Sequence, residues 1–191
     1  MNGKKIINEF IKSTEVVNLT ITAEFRNLTL NQLNRKPSEK SWSIAECIEH
    51  LIITNNLYFN ALSDAIGADK SLESDSKNVF RHTITGRLMM RYLNPDSDKK
   101  LPTTGTLKPA QSRFGSDVFD RFSEISKKLI ALAEQFRTIN LSSVKFHSPV
   151  SSFIRLNAGD ALVIAGDALV ILMYHDRRHL NQMKEILQHI N

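Results

Sequence analysis

The chain has one cysteine, Cys47, which excludes an intramolecular disulfide framework and fits a reducing cytoplasm. Glycine and proline are scarce, seven and five in 191 residues, and most fall between residues 67 and 115. Long stretches on either side are therefore free of helix breakers. No run is apolar enough for a membrane span: the strongest, Ala161 to Tyr174, contains Asp167 and is too short. The N-terminus, Met1-Asn2-Gly3-Lys4-Lys5, leads into an amphipathic pattern without the apolar core of a signal peptide. These absences predict a soluble cytoplasmic protein. A net charge of +5 raises the question of nucleic acid, but the basic residues are scattered, with small clusters at Lys99-Lys100, Lys127-Lys128 and Arg177-Arg178. Without a basic stripe or interleaved aromatics, nucleic acid is not the expected partner. Strand alternation, internal repeats and linkers are missing too, so a single domain over 1–191 is expected, long enough to bury a core.

What is present is helical periodicity. Ile7, Phe10, Ile11, Thr14, Val17, Ile21, Phe25 and Leu28 give a 3.6-residue stripe over a first helix from Lys4 to about Leu33. Thr and Val in its middle weaken the helix and allow a break. Ser43-Ile44-Ala45-Glu46 reads as a capping box, with Trp42 before it as a hydrophobic staple. It opens a second helix that ends at Gly67. A polar loop is predicted at 67–78, then a short helix from Val79 to Leu93 with Ile84, Leu88 and Tyr92 on one face. A long connection runs from Asp96 to Gly115, of a length that suggests either a functional rim or lid or a disordered segment. Ser116 to Arg137 forms the next helix, Thr138 to Leu156 a second connection, and about Asp160 to Ile190 the last helix. The sum is an all-α protein, a four-helix bundle with one short extra helix.

The last helix carries the chemistry. Ala161, Ile164, Ala168, Ile171, Leu172, His175, His179, Gln182 and Ile186 share one face, so two imidazoles one turn apart interrupt a stripe that should be buried. Inward histidines at i and i+4 can hold one metal ion. His50, on a flank of the second helix beside Cys47, Thr54 and Ala61, is the candidate third ligand. Three protein ligands leave a coordination position open, the pattern of a catalytic site. A metal there lowers the pKa of bound water to about 7 and deprotonates a bound thiol. Spacing alone leaves a second reading open, in which these are core histidines bonded to carbonyls. Cys47 is a candidate fourth ligand or a small core residue. Gln182 could contact water or substrate at the metal, Arg178 an anionic substrate at the site mouth, and Asp176 and Glu46 the distal N–H of a ligand ring. His82, His147 and His189 are expected to be exposed or near helix ends. Inward carboxylates are too few for a di-iron bundle, and His-Glu-x-x-His is missing.

Two segments resemble the signatures of the DinB/YfiT-like family of metal-dependent enzymes. Trp42-Ser43-Ile44-Ala45-Glu46-Cys47-Ile48-Glu49-His50-Leu51 is similar to its Trp-Ser-x-x-Glu-x-x-x-His-Leu motif. His175-Asp176-Arg177-Arg178-His179-Leu180-Asn181-Gln182 is similar to its His-(Asp/Glu)-Arg-Arg-His-x-x-Gln motif. The resemblance covers roughly residues 25 to 190. It implies a four-helix bundle, often in a homodimer, with His50, His175 and His179 on a divalent metal (Zn or Ni, with Fe or Mn as further candidates). It also implies a small-molecule substrate and, by analogy with relatives that are S-transferases, a low-molecular-weight thiol such as bacillithiol, mycothiol or glutathione as cosubstrate. Catalytic roles would then fall to Gln182 and Arg178. Metal-assisted hydrolysis and a non-catalytic, stress-response metal-binding role are the alternatives.

Overall fold

Asn2 begins the first helix by accepting a hydrogen bond from Lys5 N at 3.2 Å, and α1 runs over Gly3–Phe25. Its buried residues, from Ile6 and Ile7 through Phe10, Thr14, Val17 and Ile21 to Phe25, keep the predicted spacing. The computed structural model describes residues 2–68, 79–97, 103, 105–150 and 162–190. The loop predicted beyond residue 68, positions 98–102 of the long connection, and the predicted helix start at 157–161 lie outside the described residues.

The first helix stops earlier than its periodicity suggested. Thr29 accepts from Gln32 N and its own N–H is taken by the Gln32 side chain, a local cap that starts a separate turn, α2, over Leu30–Leu33. The capping box ahead of the second long helix is present as read. Ser43 N donates to Glu46 Oε2 at 2.8 Å and Glu46 N to Ser43 Oγ at 3.2 Å, opening α3 over Ile44–Ala68. The short helix, α4, begins at Ile84 rather than Val79, because Thr83 caps it through Gly86 N. Its buried face is Thr85, Gly86, Met89 and Leu93, one residue out of phase with the predicted stripe, and Ile84 is 79% exposed. A 3₁₀ turn follows at Gly105–Leu107, then α5 over Asp117–Gln135.

The expectation of no strands is corrected by a small antiparallel pair. β1 (Lys145–His147) and β2 (Leu162–Ile164) pair with Phe146 opposite Val163. Three residues per strand are too few for alternation to show in sequence. The last helix, α6, consequently runs over Ala165–Ile190 and not from Asp160. Asp167 fixes its start: the carboxylate is fully buried and accepts from Ile164 N, Thr83 N, Thr83 Oγ1 and His82 Nδ1. One side chain thus caps α6 and fastens the head of α4 to it. His82, expected to be exposed or near a helix end, lies just before the Thr83 cap of α4 and is bonded here with its side chain 14% exposed.

The four long helices form a closed ring in which α1 packs on α5 and α6, and α3 packs on the same two from the opposite corner. α4 lies against α6 and β2. This is the expected four-helix bundle, with α4 as the short extra helix and α2 as a further single turn. Buried residues from all of these elements form one hydrophobic cluster, and α3 meets α6 where the histidines lie.

Candidate metal centre

His175 and His179 are presented by consecutive turns of α6, and His50 by the facing surface of α3. Each ring offers one nitrogen, and the three lie within 4.8 Å of one another, so the cluster could hold a metal ion. His50 Nε2 stands 3.1 Å from His175 Nε2. The ring of His179 is edge-on to both others, at 4.7 Å between centroids. Trp42 closes one side, its ring 4.9 Å from His50 and stacked on His179 at 5.9 Å. Trp42, just ahead of α3, is therefore a wall of the site.

The outward nitrogens of two rings are anchored. His50 Nδ1 donates to the carbonyl of Leu107 at 2.7 Å, and His179 Nδ1 to Gln182 Oε1 at 2.8 Å. A carbonyl only accepts, so each Nδ1 carries the proton and each Nε2 keeps its lone pair. The His50 lone pair faces His175 Nε2, where either a proton on that nitrogen or a shared cation satisfies it. Two nitrogens on a tetrahedral zinc lie about 3.4 Å apart, given Zn–N bonds of about 2.1 Å. The 3.1 Å separation of His50 and His175 and the three-imidazole donor set fit such an ion.

Burial holds all three imidazoles below their ordinary pKa. The neighbouring rings and the Arg178 guanidinium push His175 and His179 further down, whereas the bond to Leu107 acts against the shift at His50. The cluster is neutral at pH 7, the ligating form.

The remaining site residues fall as follows. Gln182 orients His179 and lines the cavity above the rings. Arg178 Nη1 donates to the carbonyls of Asn94 at 3.2 Å and Ser97 at 3.0 Å, tying α6 to the turn after α4. Glu46 does not reach a ligand ring, being held by Ser43 N and by Lys36 Nζ at 2.7 Å. Asp176 Oδ1 is 3.9 Å from His175 Nδ1, beyond bonding distance, and the other oxygen accepts from Asn55 Nδ2 at 3.4 Å. Burial pushes Asp176 up to about 7, with the Asn55 bond acting the other way. Cys47 is fully buried in the hydrophobic cluster and is not a member of the ligating group found among the described residues. Burial raises its thiol pKa, with Glu46 adding to the shift. Among the acceptors that orient the rings, the Leu107 carbonyl had no sequence signal, 57 residues away from His50. Gln182 had one, its i+3 spacing from His179.

A cavity of about 910 Å³ stands over the three rings and reaches exposed residues at its rim. That volume is near the top of the range for small-molecule sites, about 300–1,000 Å³. The histidines form its floor, so the face of the cluster away from the bundle core is open to a ligand.

A sequence model of the DinB superfamily matches residues 19–183. An uncharacterized protein of Bacillus subtilis (strain 168), YuaE, is 26% identical over 172 residues, which covers 87% of this chain and 90% of that protein. No solved structure matches significantly. The matched span runs through both histidine-bearing segments, from Trp42 to Gln182, and with the four-helix ring around them the chain belongs to the DinB superfamily.

Proposed function

We propose that the protein is a metal-dependent enzyme in which His50, His175 and His179 hold a divalent cation, and that it transfers a low-molecular-weight thiol to an electrophilic small molecule. The observation that carries this reading is the position of three neutral imidazoles, two with their outward nitrogens anchored, on the floor of an open cavity. A site meant only to staple helices has no need of such a cavity. Zinc or nickel suits three imidazoles best, with iron and manganese as further candidates. A cation bound there would supply a nucleophile at neutral pH by lowering the pKa of a ligated thiol or water.

The chain's own residues prepare that chemistry. The Leu107 carbonyl and Gln182 hold two rings in one tautomer, with Nε2 directed to the shared point. The amide nitrogen of Gln182 remains for a ligand in the cavity. Arg178 adds positive charge beside His175 and His179, which disfavours their protonation. Trp42 gives an apolar wall against which a substrate can lie. Homodimerisation belongs to the same reading by family likeness, and a cytoplasmic location by the single cysteine.

The test is elemental analysis of tag-free protein with His50→Ala, His175→Ala and His179→Ala variants, followed by turnover assays with and without thiol. Near-stoichiometric metal in the wild type, lost in each variant, and turnover that needs the thiol are expected. Turnover without thiol would move the assignment to metal-assisted hydrolysis. A wild type that stays metal-free after incubation with Zn, Ni, Mn and Fe(II) removes the centre of the proposal.

A further inference from the structure

The walls of the cavity carry an imbalance of charge. Lys40, Lys108 and Arg178 line it, against one carboxylate, Glu185. Neither Lys40 nor Lys108 has a carboxylate within ion-pair distance among the described residues, and both are exposed. Their backbones are held to the floor of the site by separate routes. Lys108 follows Leu107, whose carbonyl is bonded to His50 Nδ1, and Lys108 N donates to Gly105 O at 3.2 Å. Lys40 sits in the turn closed by Ser41 N to Ser38 O at 3.0 Å, two residues before Trp42, whose ring packs on His50 and His179. Two lysines from different loops thus line the same cavity as the histidines, one and two residues along the chain from groups that touch those rings.

Arg178, the cation that the sequence brought forward, is fastened to the Asn94 and Ser97 carbonyls and serves to hold the rim. A lysine ammonium on a flexible stem serves the other purpose, a point charge that follows the acidic group of a ligand.

We propose that the site selects small organic anions, with Lys40 and Lys108 receiving a carboxylate of the substrate at the mouth while its reacting end lies over the histidines. The inference rests on the reading of the cavity as a substrate site. Its field favours an anion whatever metal is bound, because low-dielectric walls lined by one sign of charge concentrate the opposite sign. Glu185 opposes this field, and its removal strengthens it.

Trp42 is the single tryptophan and lines the cavity, so its fluorescence reports occupancy without recourse to turnover. The experiment titrates metal-loaded and metal-free protein with mercaptosuccinate, a dianionic thiol, and with thioglycerol, a neutral thiol of similar size, at low and high salt. Mercaptosuccinate is expected to bind at least tenfold more tightly at low salt, with the advantage shrinking as salt screens the lysines. Each Lys→Gln change is expected to weaken it about threefold, as for exposed ion pairs. K40Q/K108Q should then approach the neutral thiol's affinity, while binding of thioglycerol stays unchanged and E185Q tightens mercaptosuccinate. Equal affinity for the two thiols, no response to either, or a preference that survives K40Q/K108Q overturns the inference. Failure of the metal reading is seen separately, in metal content and in the histidine variants.

Discussion

His50 donates through Nδ1 to the carbonyl of Leu107 at 2.7 Å, so one imidazole ties α3 to the 3₁₀ turn before α5. His175 has no comparable anchor among the described residues, its Nδ1 lying 3.9 Å from the nearest carboxylate oxygen of Asp176. The two residues should therefore differ in metal-free protein. His50→Ala leaves a buried carbonyl unpaired and should cost about 1–3 kcal/mol, and His175→Ala less. Added metal should stabilise the wild type by about 2.7 kcal/mol at a hundred times its dissociation constant, and neither variant. Urea midpoints with and without metal check both statements.

The pH dependence of metal-free stability follows from the depressed imidazoles. A histidine whose folded pKa is lowered contributes stability above its unfolded value of about 6.5 and loses it as pH falls toward the folded pKa. Each of the three should add a slope of up to about 1.4 kcal/mol per pH unit below pH 6.5. Asp176 acts the other way. Its folded pKa is raised to about 7, so its contribution is complete below an unfolded value of about 3.9 and is lost as pH rises through 7. The net slope between pH 5 and 6.5 should be that of the histidines less one carboxyl. Denaturation curves across that range measure it, and stability that falls as pH rises from 5 to 6.5 would show that the histidines titrate alike in the folded and unfolded states.

Asp176→Asn isolates the carboxyl. Asp176 Oδ1 and Asn55 Oδ1 are both buried without a hydrogen-bond partner among the described residues, and an amide at position 176 can donate to the second. The variant should gain stability over the wild type as pH rises from 4 to 7, approaching a few kcal/mol, because no buried acid remains to ionise. A constant difference across that range would contradict the expectation.

Gly86→Ala should be destabilising although alanine is the better helix former. A Cβ at position 86 would overlap the Asp167 carboxylate, which caps α6 and holds Thr83 and His82. The gain in propensity is about 1 kcal/mol, and overpacking against a fully buried carboxylate costs about 1–3 kcal/mol or more. A net loss of about 1–2 kcal/mol is expected in thermal or urea unfolding, with metal stoichiometry unchanged.

The helices and the histidines were legible because each rests on a local rule. A 3.6-residue stripe marked α1, α5 and α6, the Ser43–Glu46 box marked the start of α3, and i, i+4 spacing paired His175 with His179. What was not read is partly local, as at Thr29, whose capping box with Gln32 spans three residues, and otherwise depends on contacts distant in sequence. Thr29 ended α1 by capping a turn that no stripe required. The phase of α4 was set by Asp167, 81 residues beyond Gly86, which needs glycine at the point of contact. The β1–β2 pair is too short to alternate visibly. Lys40 and Lys108 carried no signal in the sequence, and their loops meet the cavity through the ring contacts of Trp42 and the bond from His50 to the Leu107 carbonyl.

The facing nitrogens of His50 and His175 belong to residues 125 positions apart. An ion shared between them would act as a removable cross-link, closing most of the chain into one loop. Loop-closure entropy grows only with the logarithm of length, so such a link restrains the unfolded chain about as much as a disulfide of the same span. A protein with one cysteine would thus have a covalent bridge's effect on its unfolded state, and could give it up to a chelator.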